Sequence, residues 1–290
     1  VPNGSPFEQD KPGQRMKHAF ARVQETGLAL VYVNQIGGQD ELVFDGASFA
    51  LGQDGAVKLQ APFWQEAVIP CQIDQTGNVL AGQMVPPPET LCATYQAMMV
   101  GLRDYVQKNR FPGVIQGLSG GIDSAITAAV AADALGPDKV HTVMMPSPYT
   151  SQDSLDDAKA CADMLGIGYD IVGIEPAMQA YGSMLAPVFA GKAADITEEN
   201  IQARSRGLLL MAISNKLGLM LLTTGNKSEM SVGYATLYGD MCGGYSVLKD
   251  VYKMTVFALC RWRNANRPDG ALGPDGMVMP ERIITKPPSA

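Results

Sequence analysis

The sequence predicts an α/β fold, a doubly wound parallel sheet with helices on both faces, preceded by a smaller β-rich segment. Three observations carry this prediction. From residue 89 onward, segments with helical spacing of apolar residues alternate with short apolar runs. A glycine-rich turn joins one of these runs to an alanine-rich segment. The first 85 residues instead hold short apolar runs separated by turn residues.

The first 85 residues are predicted to form strands and turns. LALVYVN is an apolar run, and ELVFDGASFAL places Asp45 and Gly46 between two strand-like segments, a pattern typical of a two-residue hairpin. GQDGAV supplies another turn. Pro86, Pro87 and Pro88 cannot continue a helix or a sheet ladder, so we expect a stiff linker and a domain boundary between residues 85 and 86.

The remaining residues, 86–290, are predicted to alternate between helices and strands. Strands separated by helices imply right-handed crossovers and a parallel sheet that is covered on both faces. The predicted helices are 89–109, about 124–135, Ser154–Leu165, about 198–217 and DVYKMTVFALCRWRN, with Asp250 as the N-cap of the last. The predicted strands are 114–118, KVHTVMMP, GYDIVGI and LMLLT.

The composition limits the kinds of binding partner that we expect for this chain. A net charge of −7 argues against a nonspecific surface for nucleic acid or anionic membrane, because polyanions are repelled by it. The chain has no run of about 18 apolar residues, and its start, VPNGSPFEQDKPGQRM, lacks the apolar core of a signal peptide. We therefore expect neither nucleic acid nor a membrane as partner, whereas a small anionic ligand stays compatible with the charge.

Cysteine and histidine usage narrows the chemistry further. The cysteines have no CxxC pair and are odd in number, which disfavours a disulfide framework and a thiolate zinc site and fits a reducing cytoplasm. Only two histidines, His18 and His141, are present, too few for a His-rich zinc site or a Ser-His-Asp triad. The five cysteines are Cys71, Cys92, Cys161, Cys242 and Cys260.

The stretch SGGIDS, residues 119–124, lies between a predicted strand and a predicted helix. Gly120 and Gly121 let a ligand approach the main chain, and the helix amides and dipole favour an anion. Ser119 and Ser124 add hydroxyl donors, and Asp123 suits this position if it holds Mg²⁺. The loop therefore predicts a site for a metal-bound polyphosphate; a tight strand-to-helix turn with a capping side chain is the alternative.

The motif differs from two common phosphate loops, because no Lys precedes Ser124 as in a Walker A loop and no GxGxxG is present. SGGIDS instead resembles the SGGxDS loop of the ATP pyrophosphatases, which split ATP into AMP and pyrophosphate. The resemblance implies an ATP pyrophosphatase type of sheet and an ATP-binding segment made of Gly117, Leu118, Ser119, Gly120, Gly121, Ile122, Asp123 and Ser124.

Three further segments resemble the NAD synthetase family, in particular the glutamine-dependent bacterial type. They are TEENIQARSRGLLLMAISN at 197–215, LLTTGNKSEMSVGYATLYGD at 221–240 and VLKDVYKMTVFALCRWRN at 247–264, and the final ERIITKPPSA is similar too. Together with the loop they occur in the family's order from about residue 90 to 290, a combination far more specific than any single motif.

On the predicted helix 198–217, Asn200 and Arg204 are four residues apart and share a face, whereas Arg206 is turned away from Arg204. The resemblance implies that Asn200 and Arg204 contact the substrate deamido-NAD, with Arg206 as a second candidate. A helix merely solubilised by these polar residues is the alternative. The apolar block Leu208–Ile213 exceeds one buried face, which indicates a dimer contact, and members of the family are dimers.

The remaining site residues follow from the same resemblance. Asp123 and Glu229, each after a predicted strand, are expected to provide oxygen ligands for Mg²⁺ and, with Lys253, to form the catalytic set. Glu229 is also expected to contact deamido-NAD. Thr224 corresponds to an ATP-contacting Thr and Lys253 to a lysine near the phosphates. Without the family, Glu229 reads as a solvated loop charge, and Thr224 and Lys253 as a cap or surface residues. Tyr238-Gly239-Asp240 matches a family loop.

The implied activity is that of a ligase forming a carbon–nitrogen bond. The nicotinate carboxylate of deamido-NAD attacks the α-phosphorus of ATP, pyrophosphate leaves, and ammonia then displaces AMP. A carboxylate nucleophile needs no general base, so the reaction is mostly positioning and charge stabilisation. The shortage of histidine is then no obstacle. The second step needs ammonia to arrive unprotonated and dry, since water would hydrolyse the adenylate.

Residues 1–85 resemble the last part of the nitrilase-type glutamine amidase that is fused to this family. NGSPF at 3–7 and YVNQIGGQDELVFDGASF at 32–49 carry the likeness. In the family the catalytic cysteine precedes the NGSPF-like segment, and none of the five cysteines here matches it. We therefore expect a chain that is cut at its start, and also after KPPSA at its end, with ammonia-dependent synthesis as the most it does alone.

Two other functions stay open at this level. The first is another ATP pyrophosphatase, GMP-synthetase-like or tRNA-modifying, which the acidic surface and the NIQAR and TTGNKSE segments argue against. The second is a nucleotide-binding module without catalysis, which the joint presence of Asp123, Glu229 and Lys253 argues against.

Overall fold

The structure is a computed structural model that describes residues 1–286. The chain divides into two compact units, Val1–Tyr105 and Val106–Ala290. The predicted boundary at residues 85/86 stays a prediction. PPSA, the last four residues of the predicted family-like end ERIITKPPSA, lies outside the described residues.

The first unit combines a four-stranded sheet with one helix packed on it. The sheet has the order β1-β2-β5-β6, with β1 parallel to β2 and the other pairs antiparallel, and β3 and β4 form a separate hairpin. The elements are β1 Pro2–Asn3, α1 Lys11–Thr26, β2 Leu30–Asn34, β3 Ile36–Gln39, β4 Leu42–Asp45, β5 Phe49–Leu51 and β6 Val57–Gln60, followed by α2 Thr90–Lys108, which crosses into the second unit.

Helix α1 is absent from the sequence prediction. It begins after Asp10 with Pro12 in its first turn and ends at Gly27 in the left-handed conformation, both typical of helix ends. Its buried face is narrow, because Ala19 and Val23 pack on the β-sheet side chains while most other positions are polar. Met16, Ala19 and Val23 nonetheless recur at helical spacing, so the sequence carried the signal of a helix that the prediction of strands and turns overlooked.

The predicted hairpin at Asp45–Gly46 is wrong. β4 pairs with β3, whereas β5 pairs with β2 and β6, so the chain leaves one sheet and enters another between them. Asp45 is fully buried, and its two carboxylate oxygens accept hydrogen bonds from Nη1 of Arg15 at 2.7 and 2.8 Å. The turn in GQDGAV is confirmed, since the amide of Gly52 donates to the carbonyl of Ala56 across the β5–β6 connection.

The second unit confirms the predicted parallel α/β sheet. Its five strands have the order β11-β10-β7-β8-β9, and every pair is parallel. The elements are β7 Val114–Gly117, α3 Ile122–Leu135, a 3-10 turn Pro137–Lys139, β8 Val140–Met144, α4 Gln152–Leu165, β9 Gly168–Ile171, α5 Glu175–Leu185, α6 Ile196–Leu217, β10 Met220–Thr223, α7 Lys227–Val232, β11 Tyr245–Ser246, α8 Lys253–Ala265 and α9 Glu281–Thr285.

Strand β7 and helix α3 lie in the interior of the second unit. β7 is the central strand, and every residue of α3 except Asp123 is buried. The alanines of α3 keep its surface small, so neighbouring elements can approach closely on several sides. The loop that joins β7 to α3 is therefore held by the best-packed part of the second unit.

Helix α8 begins later than the sequence suggests. Asp250 lies in a turn in which the amide of Val251 donates to the carbonyl of Leu248, and Tyr252 occupies the N-cap position. The prediction of Asp250 as the cap is therefore wrong. The delayed start makes Lys253 the first helical residue, which points the amino end of α8 toward the β7–α3 loop, because Lys253 and Asp123 form an ion pair.

Candidate active site

The β7–α3 loop lies at the carboxyl end of the central strand, where open parallel sheets bind their ligands. The amide of Ser119 donates to Oγ of Ser124 at 3.2 Å, and that hydroxyl donates to the carbonyl of Gly121 at 2.9 Å. These bonds fix the shape of the loop from within. The amides of the first turn of α3 have no intrahelical acceptor, so they form a site suited to an anion.

Gly120 is the position in the loop that requires glycine. Its φ is +75°, and a Cβ added there would lie 2.3 Å from the carbonyl oxygen of Ser154 on α4. Gly121 differs, because its φ of −90° and ψ of 160° are open to any residue. The loop thus packs directly on the main chain of α4 at Gly120, and ligand approach to the main chain at Gly120 and Gly121 stays a prediction.

Asp123, in the first turn of α3, is the acid nearest to the loop. Its Oδ2 forms an ion pair with Nζ of Lys253, and its Oδ1 accepts a hydrogen bond from Nδ2 of Asn226 at 2.9 Å. The Asp123 and Lys253 side chains are 18% and 25% exposed, so the pair is accessible yet partly shielded from water. Two of the three predicted catalytic residues, Asp123 and Lys253, therefore lie in direct contact.

Glu229 is held beside Asp123 by the same asparagine. Asn226 is the N-cap of α7, its Oδ1 accepts from the amide of Glu229 at 3.1 Å, and Oε2 of Glu229 accepts from the amide of Asn226 at 3.1 Å. Burial raises the pKa of Glu229, and the carboxylate of Asp123 raises it further, while the Asn226 hydrogen bonds and Lys253 oppose the rise. The two acids are electrostatically coupled through their proximity.

A cavity of about 920 Å³ lies over the loop, a size within the range of ligand sites. It is large enough for a nucleotide, and both polar and apolar residues line it. Ten of the predicted site residues line it: Gly117, Leu118, Ser119, Gly121, Ile122, Asp123, Ser124, Thr224, Glu229 and Lys253. Their individual roles stay predictions.

On α6, the cavity is lined by Arg206 rather than by the two residues predicted first. Nε of Arg206 donates to the carbonyl of Met145 at 3.2 Å, and burial lowers the pKa of its guanidinium. Arg204 is exposed and donates to the carbonyl of Leu237, while Asn200 accepts a hydrogen bond from Thr236. Within residues 1–286, Asn200 and Arg204 are not among the residues that line the cavity, and a substrate role for them stays a prediction.

Sequence reasoning missed several residues of this site. Asn226 joins both acids, and its motif NKSE, with Asn at the N-cap and Glu three residues later, is a capping-box signature that could have revealed it. Gln116, fully buried on β7, donates from Nε2 to the carbonyl of Ser124 at 2.8 Å and supports the loop from below. Of the predicted family loop, Gly239 and Asp240 line the cavity, and Tyr238 is exposed.

Fold and site place the chain among α/β proteins that carry an anion site at the carboxyl edge of a parallel sheet. A family model described as NAD synthase matches residues 94–290. The glutamine-dependent NAD(+) synthetase of Rhodobacter capsulatus is 54% identical over 293 residues, which cover 100% of this chain and 53% of that protein. This chain belongs to the NAD synthase family.

Solved structures agree with that assignment. The glutamine-dependent NAD+ synthetase from Acinetobacter baumannii, in complex with adenosine diphosphate, has a TM-score of 0.92 and 47% identity, covering 98% of this chain and 53% of that one. An NMN synthetase from Francisella tularensis has a TM-score of 0.60 and 26% identity, covering 70% and 76%. The chain spans about half the length of the curated relatives it matches.

The comparisons do not favour the alternatives of a GMP-synthetase-like enzyme or a binding module without catalysis, because the relatives carry the name of the NAD synthetases. In the part of the chain that the structure describes, no helix combines the length and the apolar character that crossing a membrane requires.

Proposed function

We propose that this chain carries the synthetase reaction of its family, the ATP-dependent amidation of deamido-NAD to NAD through an adenylated intermediate, with release of AMP and pyrophosphate. One observation carries the proposal. The anion-binding loop, the acids Asp123 and Glu229, and Lys253 all line a single cavity that is large enough for a nucleotide. The ADP complex of the Acinetobacter baumannii relative supports a nucleotide in this fold.

The first step requires the nicotinate carboxylate to attack the α-phosphorus of ATP while pyrophosphate leaves. The attacking group is already ionised, so the protein has to align the reactants and stabilise charge on the leaving phosphates. The first-turn amides of α3 supply hydrogen-bond donors, and Lys253 supplies a positive charge at the same end of the helix. Thr224 lines the cavity as a candidate ATP contact.

The residues present fit Mg²⁺. Asp123 and Glu229 offer hard carboxylate oxygens on one cavity wall, and Mg²⁺ commonly binds through one or two carboxylates together with substrate phosphates and water. When bound, Mg²⁺ neutralises charge on the phosphates.

The second step requires ammonia to displace AMP from the adenylate in a site that excludes water. We infer that glutamine supplies this ammonia in the longer protein, as the names of the relatives indicate for them. Residues 1–85, with their resemblance to the end of a nitrilase-type amidase, then belong to the ammonia-supplying part. Asn200 and Arg204 are assigned to deamido-NAD on the resemblance alone.

We also propose that the chain acts as a homo-oligomer in the cytoplasm. Of the apolar block Leu208–Ile213, Leu208 is exposed, whereas Leu209, Leu210, Met211 and Ile213 pack against the core of the second unit. Exposed apolar side chains also occur in the segment that follows α7, at Leu237, Tyr238 and Met241. An oligomer contact would remove them from water, and light scattering of the purified protein tests this. All five cysteines are free, which suits a reducing compartment.

Pyrophosphate release tests the proposed function directly. The protein is incubated with MgATP, ammonium and deamido-NAD, and parallel reactions contain xanthosine monophosphate or nicotinate mononucleotide in place of the dinucleotide. We expect pyrophosphate and AMP in equal amounts, together with NAD, only with deamido-NAD. Equal or faster turnover with either mononucleotide would contradict the substrate assignment, and no turnover with any acceptor would contradict the synthetase reaction.

A further inference from the structure

Helices α3 and α8 are joined by an ion pair at each end. Lys253 in the first turn of α8 pairs with Asp123 in the first turn of α3, and Arg263 near the end of α8 pairs with Asp133 near the end of α3. Each helix separates its two charged residues by ten positions, about 15 Å of helix. The two helices therefore run parallel and in register.

The pair at the far end, Asp133 and Arg263, is the rigid one. Both side chains are 0% exposed, and the guanidinium binds the carboxylate in a two-point manner, Nε to Oδ2 at 2.6 Å and Nη2 to Oδ1 at 3.0 Å. The guanidinium also donates from Nη1 to the carbonyls of Asn266 and Gly276 and from Nη2 to the carbonyl of Pro274. A planar fork with this many fixed partners allows little sliding.

The surroundings leave this pair no room to adjust. A Cβ added to Gly273 would lie 2.3 Å from Oδ1 of Asp133, so the segment after α8 closes directly over the carboxylate. Between the two pairs, the buried residues Val256, Leu259 and Cys260 of α8 face the alanine-rich α3. Small side chains on α3 permit close approach of the helices but provide few ridges to fix their axial register.

The pair at the loop end cannot fix that register. Lys253 has a flexible side chain and a single charged point, and it is partly exposed. Its position relative to the loop therefore depends on where α8 sits along α3.

We propose that the buried pair Asp133–Arg263 is a positioning element for the synthetase site. It sets the axial register of α8 on α3 and thereby places Lys253 at the loop that receives the ATP phosphates. Asp133 and Arg263 act only through Lys253 and touch no substrate. This inference rests on the proposed function, because it assumes that Lys253 stabilises charge on the leaving phosphates.

The test is a double-mutant cycle between Arg263→Lys and Lys253→Ala, with Asp133→Glu as a second perturbation of the same pair. Arg263→Lys keeps the charge and loses the fork. All proteins are assayed at a temperature at which circular dichroism shows them folded. We expect Arg263→Lys to lower kcat for pyrophosphate release about 10-fold to 100-fold, the scale of a displacement of about 1 Å, and to leave KM for ATP nearly unchanged. In the Lys253→Ala background the same change should have little effect.

Arg15→Lys is the matched control, because Arg15 forms a buried pair with Asp45 in the other unit. It should cost stability and leave kcat unchanged. The proposal is overturned if Arg263→Lys lowers kcat by the same factor in the wild-type and the Lys253→Ala backgrounds. It is also overturned if Arg263→Lys and Asp133→Glu are both folded and both have an unchanged kcat. If the wild-type protein releases no pyrophosphate, the proposed function fails. The same cycle is then measured by calorimetry on the affinity for magnesium pyrophosphate, the leaving group, where coupling supports the positioning role and additivity overturns it.

Discussion

Replacing Gly120 by Ala tests the claim that the β7–α3 loop is fixed by its contact with α4. Two costs follow from the structure. A non-glycine residue at φ +75° carries about 1–2 kcal/mol of backbone strain. The new Cβ would also lie 2.3 Å from the carbonyl oxygen of Ser154. The backbone fixes the position of both atoms, so neither can rotate away. The loop must therefore move by roughly 1 Å to reach ordinary contact distance.

A matched variant separates strain from displacement. Gly166, at the end of α4, has a φ of +67° with open space around its Cβ position, so Gly166→Ala carries the strain without the clash. We expect Gly166→Ala to lower the free energy of unfolding by about 1 kcal/mol with activity retained. Gly120→Ala should lower it further and should reduce pyrophosphate release by about 10²-fold, because the loop amides leave their alignment.

Urea unfolding and the pyrophosphate assay measure the two effects on the same preparations. Equal destabilisation by the two substitutions, combined with wild-type turnover of Gly120→Ala, would refute the reasoning. It would mean that the loop accommodates a methyl group without shifting its amides, and the close approach to Ser154 would then have no role in shaping the site.

Three further predictions concern charge and burial. Asp123→Ala removes the carboxylate that pairs with Lys253, and pyrophosphate release should fall by at least about 10²-fold; unaltered turnover would contradict its assigned role. Burial raises the pKa of the Cys161 thiol to about 12 and also raises the pKa of the Cys260 thiol, so both thiols stay protonated at about pH 8. Both should react with a thiol reagent only after unfolding, and labelling of either in the native protein would be inconsistent with this. Asp45→Ala leaves Arg15 buried without its carboxylate and should cost about 3–5 kcal/mol in urea unfolding, whereas an unchanged transition would show that the pair is not buried as described.

Much of the second unit could be predicted from the sequence because its elements follow simple periodic patterns. The loop and its flanking strand and helix agree with the structure to within about two residues, since the switch from a β-branched run to an alanine-rich run is abrupt. Helix α5, with no buried residue, and helix α7, of only 6 residues, escaped prediction. Helix α7 is too short to show a helical period, whereas α5 has Met178, Tyr181 and Leu185 at helical spacing, a pattern that the prediction overlooked.

The errors in the first unit have a different cause. Asp45–Gly46 has the composition of a hairpin turn, but a distant cation, Arg15, draws the aspartate into the interior. Such a pairing spans 30 residues and leaves no local signal. Turn chemistry is a reliable guide only where the turn residue stays in solvent and satisfies its own polar groups locally.

Helix α6 shows where sequence reasoning about the site reaches its limit. Helical spacing establishes that Asn200 and Arg204 share a face that Arg206 does not, yet it cannot say which face meets the cavity. The structure assigns that face to Arg206, whose burial beside the carbonyl of Met145 is costly for a cation unless a ligand offsets it. Arg204 is exposed on the chain described here, near the exposed apolar residues Leu208 and Leu237, so any contact with deamido-NAD depends on what covers that surface. We therefore propose that a contact of Arg204 with deamido-NAD depends on oligomer formation, and we expect an Arg204→Ala variant to have impaired turnover and unchanged MgATP affinity.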